Sequence, residues 1–282
     1  MMMKVSNFFT NLGATLKSCV KIVVQSRPVG RIGRCEKHSD RIIVLGNGPS
    51  LRDTIATKGD ELKKLPTVAV NFMANTPEFF ELKPDYYVLA DPHFFRGVEH
   101  DNVASLWKNL AAADWAMTLC VPVGMVSQAR KLLGNNQNIK VGGFNFIGIE
   151  GFAWFERFAY NHRMGIPRPR NVLIPAIMTA IAAGYRDIYV CGADHSWLET
   201  IRVTDENHVV SVQPHFYADS KKELKRSETE YKGYRLHDIL KSFYIAFRSY
   251  HTLERYALKQ GISIFNATPE SYIDAFPRRS DF

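Results

Sequence analysis

The sequence contains little cysteine, with four residues in a chain of 282. None of the four stands at the spacing of a metal-binding pair, and nothing in their arrangement suggests the disulfide framework of a small secreted domain. A reducing, cytoplasmic compartment is therefore the expected location, because free thiols persist there. The four positions are Cys19, Cys35, Cys120 and Cys191.

The first 35 residues contain no aspartate or glutamate. Residues 4–24 place apolar side chains at helical spacing, but lysines interrupt the run, which is too short and too polar to span a bilayer and unlike a signal peptide. We therefore divide the chain into residues 1–40, a basic amphipathic helix with a linker, and residues 41–282, the main domain. The helix either lies on an anionic membrane surface or packs on the main domain or on a second copy of the chain. The basic residues of this arm are Lys4, Lys17, Lys21, Arg27, Arg31 and Arg34.

Two common nucleotide-binding motifs are absent. The stretch RIIVLGNGPSL, residues 41–51, has Leu51 where a G-x-G-x-x-G motif needs its third glycine, and it lacks the Gly-Lys-Ser/Thr of a P-loop. The stretch nevertheless predicts a buried strand, a tight turn and the start of a helix. Gly46 and Gly48 permit close approach to the main chain, and Pro49 suits a first helical turn.

The helix that follows this turn gives the motif its expected chemistry. Ser50 and Asp53 have the spacing of a capping box, and the free amides at a helix N-terminus favour a bound anion. Asn47 adds a donor and an acceptor at the point that faces a ligand. We interpret GNGPS as a phosphate-binding turn, with an ordinary strand-to-helix turn as the alternative.

Short apolar runs recur along the rest of the main domain, and helical patterns fit between most of them. This alternation predicts an α/β fold with a mostly parallel sheet covered by helices on both faces. Ligands of such sheets bind beyond the carboxyl ends of the strands, where polar residues follow several of the runs. The expected strands are 42–45, 67–70, 86–90, 117–121, 187–192 and 262–265. The polar residues at strand ends are Asn47, Asn71, Asp91, Asp194 and Asn266.

Residues 195–236 break this pattern, because they are rich in aromatic residues and histidine and show little periodicity. Long segments of this kind are often functional, and we expect a small lid over the carboxyl edge of the sheet. Residues 237–259 then predict a helix whose apolar face is accompanied by a polar, mostly cationic stripe. A solvated face and an anion-binding role are both open for this stripe. Its members are His237, Lys241, Tyr244, Arg248, His251 and Arg255.

The strand-end motifs also resemble those of a known family, the bacterial lipooligosaccharide sialyltransferases and their relatives. The similar stretches are GNGPSL, VAVN, LADP, AAGYRDIYVCGAD and GISIFNATPES, which together extend over roughly residues 41–270. The first motif and the Gly-x-Asp strand end also resemble the 6-hydroxymethylpterin pyrophosphokinase-like group. The sialyltransferase resemblance implies a Rossmann-like nucleotide-binding domain with a lid, a CMP-activated sialic acid as donor, inversion at the anomeric carbon and no required metal.

By position, the resemblance also implies roles for individual residues. Asn47, Gly48 and Ser50 are expected to hold the donor phosphate and ribose, and Asn71 the nucleotide or the sugar. Asp91 stands where the sialyltransferases have asparagine. The complete set of expected substrate-binding residues is Asn47, Gly48, Pro49, Ser50, Asn71, Asp91, Arg170, Asn171, Gly192, Asp194 and Ser196.

An inverting transfer needs one base to deprotonate the acceptor hydroxyl, and histidine has the most suitable ordinary pKa. The catalytic histidine of the resembled family lies in the helix before the last strand, where an ungapped count reaches Tyr244. His237 at the start of this helix is our first candidate, and His251 further along it is the second. His195, directly after a strand end, is the third.

The expected function is a glycosyltransferase of surface-glycan biosynthesis, for lipopolysaccharide or capsule, with a CMP-sugar donor and a glycan or glycolipid acceptor. A net charge of +8 suits an anionic donor. No Asp-x-Asp pair follows a strand, so we expect no metal and no cofactor. The basic residues cluster in one arm without a reader motif, which argues against nucleic acid.

Two other functions remain open at the level of sequence. An ATP-dependent pterin pyrophosphokinase would need magnesium, for which Asp91 and Asp194 are the available carboxylates. The second open function is that of a glycan-binding or scaffold protein that catalyses no reaction. Localisation in the cytoplasm, peripheral on the inner membrane, fits the first function, and the oligomeric state stays open.

Overall fold

The computed structural model describes residues 2–211, Phe216 and residues 233–282, and for residues 2–5 the backbone alone. Its centre is a sheet of seven parallel strands. These strands are β1 (Arg41–Leu45), β2 (Thr67–Val70), β3 (Tyr86–Val88), β4 (Met117–Pro122), β5 (Ile139–Phe144), β6 (Asp187–Cys191) and β9 (Ser263–Asn266). A separate antiparallel hairpin consists of β7 (Arg202–Val203) and β8 (Val209–Val210).

Helices connect most of the strands of the large sheet and cover it. They are α1 (Met2–Gln25), α2 (Leu51–Lys64), α3 (Pro77–Leu82), α4 (His93–Arg96), α5 (Asp101–Ala111), α6 (Val126–Leu133), α7 (Ala153–Asn161), α8 (Leu173–Ala182) and α9 (Leu236–Lys259). Short 3-10 turns follow β2, β4 and β6, at Asn71–Asn75, Val123–Met125 and Ser196–Thr200.

The sheet is buried on both faces, which explains the continuous apolar runs in the sequence. Along β1, Ile42 and Val44 point into a core shared with α8 and α9, whereas Ile43 and Leu45 point into a core shared with α2 and α5. Helices therefore pack on opposite sides of the same strand. The predicted α/β, Rossmann-like sheet with helices on both faces is confirmed.

In the large sheet, the sequence prediction differs from the structure by more than one residue in two strands. It misses β5, whose centre is Gly142-Gly143 and which therefore carries no β-branched run, although it pairs with β4 over six residues. It also extends β3 too far, because only Tyr86–Val88 forms the strand.

The strand order is β5-β4-β3-β2-β1-β6-β9. From β1 the chain adds strands towards one edge and then returns to place β6 on the other side of β1. The connections leaving β1 and β6 therefore diverge, and a crevice opens beyond their carboxyl ends. This switch point is where the fold provides room for a ligand.

The N-terminal helix α1 packs on the connection between β5 and α7 through small polar residues. Ser18 donates a hydrogen bond to the carbonyl of Glu150 at 2.8 Å, and Lys21 donates to the carbonyl of Gly148 at 3.1 Å. The Thr15 hydroxyl accepts a hydrogen bond from the amide of Phe152 at 3.1 Å. Among the residues that the structure describes, no helix combines the length and hydrophobicity that a bilayer crossing requires.

Part of the predicted lid can be placed. Residues 196–211 form the 3-10 turn and the β7–β8 hairpin, and Phe216 is buried over the β1 turn, where its amide donates to the Asn47 carbonyl at 3.1 Å. Residues 212–215 and 217–232 of the predicted segment lie outside the described residues.

The turns after β1 and β6 touch each other closely. Gly192 has a φ of +63°, and a Cβ at this position would lie 2.6 Å from the Gly46 carbonyl oxygen and 2.8 Å from Leu51 Cβ. Both the left-handed backbone and the lack of space require glycine here.

We expect Gly192→Ala to lower the free energy of unfolding by at least about 2 kcal/mol, because it adds backbone strain and a steric clash. Gly59→Ala, inside α2, is the matched control: its Cβ would meet nothing within 4 Å. The control should stay within about 1 kcal/mol of the wild type, on the stabilising side. Denaturant unfolding measures both, and equal stability of the two variants would contradict this account.

Candidate functional site

A cavity of about 420 Å³ lies beyond the carboxyl ends of the strands, at the switch point between β1 and β6. Its wall includes every predicted substrate-binding residue except Ser50. These predicted residues come from five different parts of the sequence, and Phe146 adds a sixth segment to the wall. The predicted residues in the wall are Asn47, Gly48, Pro49, Asn71, Asp91, Arg170, Asn171, Gly192, Asp194 and Ser196. Their roles as ligand contacts remain a prediction.

The Asp194 carboxylate occupies the start of α2. The Ser50 amide donates to Asp194 Oδ1 at 3.1 Å, and the Ser50 hydroxyl donates to Oδ2 at 2.9 Å. The Gly48 amide donates to the Gly192 carbonyl at 2.8 Å. These two amides, which the sequence assigned to an incoming phosphate, are thus bonded within the protein. The anion that the helix N-terminus favours is an internal carboxylate.

The predicted capping box of Ser50 and Asp53 is wrong. Ser50 makes no side-chain cap to α2, because its hydroxyl is donated to Asp194 instead. Gly48 has a related role: a Cβ there would lie 1.9 Å from Asp194 Oδ2 and 2.7 Å from the Gly192 carbonyl oxygen. Glycine at position 48 therefore makes room for Asp194, and a larger residue there would disturb this contact as well as any bound ligand.

Two opposing effects act on the pKa of the Asp194 carboxyl group. Burial raises the pKa of its carboxyl group, and the two hydrogen bonds from Ser50 oppose this rise by stabilising the ionised form. The carboxylate lies between β1 and β6 and shares the cavity wall with His195.

His195 contributes a buried imidazole to the cavity wall. Its Nε2 atom lies 2.7 Å from the Tyr250 hydroxyl and 3.4 Å from Asn171 Nδ2, and the Tyr250 hydroxyl donates to Asn171 Oδ1 at 3.0 Å. The ring stacks on Trp197 with centroids 4.1 Å apart. Burial lowers the pKa of His195 to about 3, so the imidazole is neutral at physiological pH.

The other two candidate bases lie outside the cavity. The side chain of His237 is 80% exposed and lies beside Asp238. His251 Nε2 lies 3.2 Å from Asp274 Oδ1 on the outer face of α9. The helical stripe that made them candidates faces away from the sheet, since the apolar stripe of α9 is the buried one. Of the three histidines, only His195 reaches the crevice.

The turns after β1, β2 and β3 are held by hydrogen bonds between side chains and backbone groups. Asn47 Nδ2 donates to the Val70 carbonyl at 3.1 Å, and Tyr87 donates its hydroxyl to the Asn71 carbonyl. Asp91 Oδ1 accepts the amide of His93 at 2.8 Å. These contacts fix the turns that form the cavity floor.

Arg170 is the cationic member of the wall. Its side chain is exposed, and it is the only arginine or lysine among the described residues that line the cavity. It stands next to Asn171, which is part of the His195 and Tyr250 group. An anion entering the cavity would meet this guanidinium group.

The sequence analysis did not identify Tyr250 as a member of the site, because the residue falls on the apolar face of α9 that is expected to pack into the core. The residue serves both purposes, because its ring is buried while its hydroxyl reaches His195 and Asn171. No sequence signal identifies this contact, which depends on how α9 packs against the end of β6. Within residues 2–211, 216 and 233–282, no group of three or more metal-ligating side chains is arranged to hold an ion.

No protein-family profile matches the sequence, and no curated protein is similar to it in sequence. The fold is similar to the solved structure of the MAf glycosyltransferase from Magnetospirillum magneticum AMB-1, with a TM-score of 0.51 and 12% sequence identity. The similarity covers 95% of this chain and 38% of that protein, so the chain spans well under half of the larger protein's length. At this identity the likeness is one of fold.

The buried imidazole makes folding stability depend on pH. The pKa of His195 is about 3 in the folded chain and about 6.5 when unfolded, so the unfolded chain binds the extra proton between these values. We expect the stability contribution to be complete above pH 6.5 and to fall by up to about 1.4 kcal/mol per pH unit below it.

His195→Gln should flatten this acid slope, measured by denaturant unfolding at several pH values. Tyr250→Phe is the control, because it removes a hydrogen bond but leaves His195 buried; it should lower stability while keeping most of the slope. An unchanged slope in His195→Gln would show that His195 is not the group responsible.

Proposed function

We propose that the chain is a glycosyltransferase that uses an anionic nucleotide-activated sugar as its donor. The observation that carries this proposal is the buried, neutral His195 in the wall of a cavity at the switch point of the sheet, where open α/β folds bind their ligands. The likeness of fold to a protein described as a glycosyltransferase supports it. The cavity volume of about 420 Å³ falls within the range of small-molecule sites.

A CMP-activated acidic sugar, such as sialic acid, is the donor that we favour. Such a donor carries a phosphodiester and a carboxylate, and Arg170 offers a guanidinium group that binds either of them in a bidentate manner. The resemblance of the GNGPSL and GYRDIYVCGAD stretches to sialyltransferase motifs supports the same choice. Asn47, Asn71 and Asp91 would contact the nucleotide from the cavity floor.

In the proposed reaction, the acceptor hydroxyl oxygen attacks the anomeric carbon of the donor. The bond from this carbon to the phosphate oxygen breaks, its electron pair leaves with CMP, and the hydroxyl proton passes to the His195 imidazole. Attack from the face opposite to the leaving group inverts the anomeric centre. A bound anionic donor would raise the pKa of His195 from its low value in the free protein, which makes the imidazole a better base when the donor is present.

The proposed acceptor is a glycan or glycolipid of the cell surface, as in lipopolysaccharide or capsule biosynthesis. We place the reaction in the cytoplasm, with the protein peripheral on the inner membrane. The four cysteines are free, which is consistent with a reducing compartment.

The pyrophosphokinase alternative needs carboxylates that are available for magnesium. Asp194 accepts two hydrogen bonds from Ser50, and one Asp91 oxygen accepts the amide of His93. Both side chains therefore have structural partners already, which favours the transferase.

A ligand panel tests the proposal. We expect CMP, CTP and CMP-sialic acid to raise the melting temperature, and Mg-ATP, UDP-glucose and GDP-mannose to have little effect, because the donor chemistry selects the nucleotide. Release of CMP from CMP-sialic acid should then require an oligosaccharide acceptor, and His195→Gln should reduce turnover by about a hundredfold to ten-thousandfold while donor binding persists. Protection by Mg-ATP alone would favour the kinase, and protection by none of them a protein without this activity.

Arg170→Gln should weaken binding of CMP-sialic acid by roughly tenfold to a hundredfold, because it removes a charged hydrogen bond. Arg130→Gln, on the exposed side of α6 and outside the cavity wall, is the matched control and should bind like the wild type. Isothermal titration gives both affinities. Equal loss in the two variants would mean that net charge, and not the position of Arg170, governs binding.

A further inference from the structure

Helix α1 turns its apolar face away from the described structure. Its inward contacts are made mainly by the small or polar groups Thr15, Ser18 and Lys21, and Ile22 is the apolar residue that packs on the core. The apolar side chains on the outward face are between 59% and 82% exposed. They are Phe9, Leu16, Val20, Val23 and Val24, whereas the Phe8 ring contacts Phe152. This arrangement is the reverse of an ordinary helix packed on a core, which buries its apolar stripe.

The exposed residues form one continuous stripe. At about 100° per residue, Phe9, Leu16, Val20 and Val23 fall on the same side of the helix, opposite Ser18. The stripe extends about 22 Å from Phe9 to Val24. Contiguous apolar surface of this kind marks a site of contact with another molecule or a membrane.

The charges near the stripe favour one kind of binding partner, an anionic membrane. Residues 1–35 carry six basic residues and no acidic one; within α1, Lys17 is exposed next to Leu16, whereas Lys21 faces the protein. An anionic lipid surface offers both an apolar layer for the stripe and negative charge for the arm. A second copy of this chain would instead bring two positively charged arms together, which costs electrostatic energy.

We infer that the outward stripe of α1 lies in the headgroup boundary of an anionic membrane and fixes the orientation of the protein on it. The helix docks on residues 148–152, and the same connection carries Phe146, which is in the cavity wall and 38% exposed. Trp154, at the start of α7, is 63% exposed and adds an aromatic side chain of the type that favours this interface. The connection on which α1 packs thus also supplies a residue to the cavity wall. The proposed function supplies a reason for this membrane location, and the inference depends on that function in no other way.

Vesicle co-sedimentation of the full chain, without donor or acceptor, tests the inference separately from the transfer reaction. The vesicles are phosphatidylglycerol mixed with phosphatidylethanolamine, or phosphatidylcholine alone. The test variant is Leu16→Glu with Val20→Glu. The matched control is Val203→Glu with Leu258→Glu, which adds the same charge at apolar side chains that are 50% and 62% exposed elsewhere.

We expect the wild type to bind the anionic vesicles and to bind phosphatidylcholine weakly. The test variant should bind at least about tenfold less tightly, and the control like the wild type, because the stripe supplies the apolar contact. Raising the salt from about 0.01 M to about 1 M, which shortens the Debye length from about 30 Å to about 3 Å, should weaken binding of the wild type.

Three results would overturn the inference. One is failure of the wild type to bind anionic vesicles at low salt. Another is an equal loss of binding in the control variant. The third is a wild-type dimer without vesicle affinity that the test variant converts to monomer, measured by light scattering, which would assign the stripe to a second copy of the chain. None of the three results changes the outcome expected of the nucleotide-sugar assay, so the inference can fail while the proposed function stands.

Discussion

The Asp194 carboxylate, bonded to the amide and hydroxyl of Ser50, is the interaction on which the candidate site depends. It ties the turn after β6 to the start of α2 and so joins the two central strands beyond their paired residues. The close packing of Gly48 and Gly192 follows from it, because side chains at these positions would occupy the space of the carboxylate or of the facing carbonyl. The GNGPS turn is therefore shaped first by a contact within the protein.

The same turn decides the position of His195. The residue after Asp194 lies in the left-handed region with a φ of +56°, and its imidazole stacks on Trp197 and contacts the Tyr250 hydroxyl. Such a conformation costs free energy for a non-glycine residue and persists only when its surroundings enforce it. Burial then keeps the ring neutral. Under the proposed function, a neutral imidazole of this kind would accept a proton more readily once an anionic donor is bound nearby, which would link donor binding to proton transfer by electrostatics.

The sequence was sufficient to predict the fold and most of the cavity wall, for physical reasons. Buried parallel strands produce apolar runs, and the carboxyl ends of those strands meet at one edge, so that Asn47, Asn71 and Asp194 could be grouped before any coordinates. The sequence was insufficient where a feature depends on packing between distant segments. The carboxylate at Ser50, the pairing of Tyr250 with His195 and the outward direction of the α9 histidines all arise from how helices settle on the sheet. The sequence analysis also missed β5, because Gly142-Gly143 interrupts the apolar run that predicts a buried strand.

The docking of α1 has a consequence for the order in which the chain acquires structure during synthesis. The surface that receives Thr15 and Ser18 is formed by residues 148–152, more than a hundred residues further along the chain. The two halves of the sheet come together only when β6 pairs with β1, which places Tyr189 beside Ile43. Chains emerge from the ribosome with the N-terminus first, so α1 leaves it long before either partner exists. Until those residues follow, the side of α1 that carries Thr15 and Ser18 lacks the surface on which it packs in the folded protein.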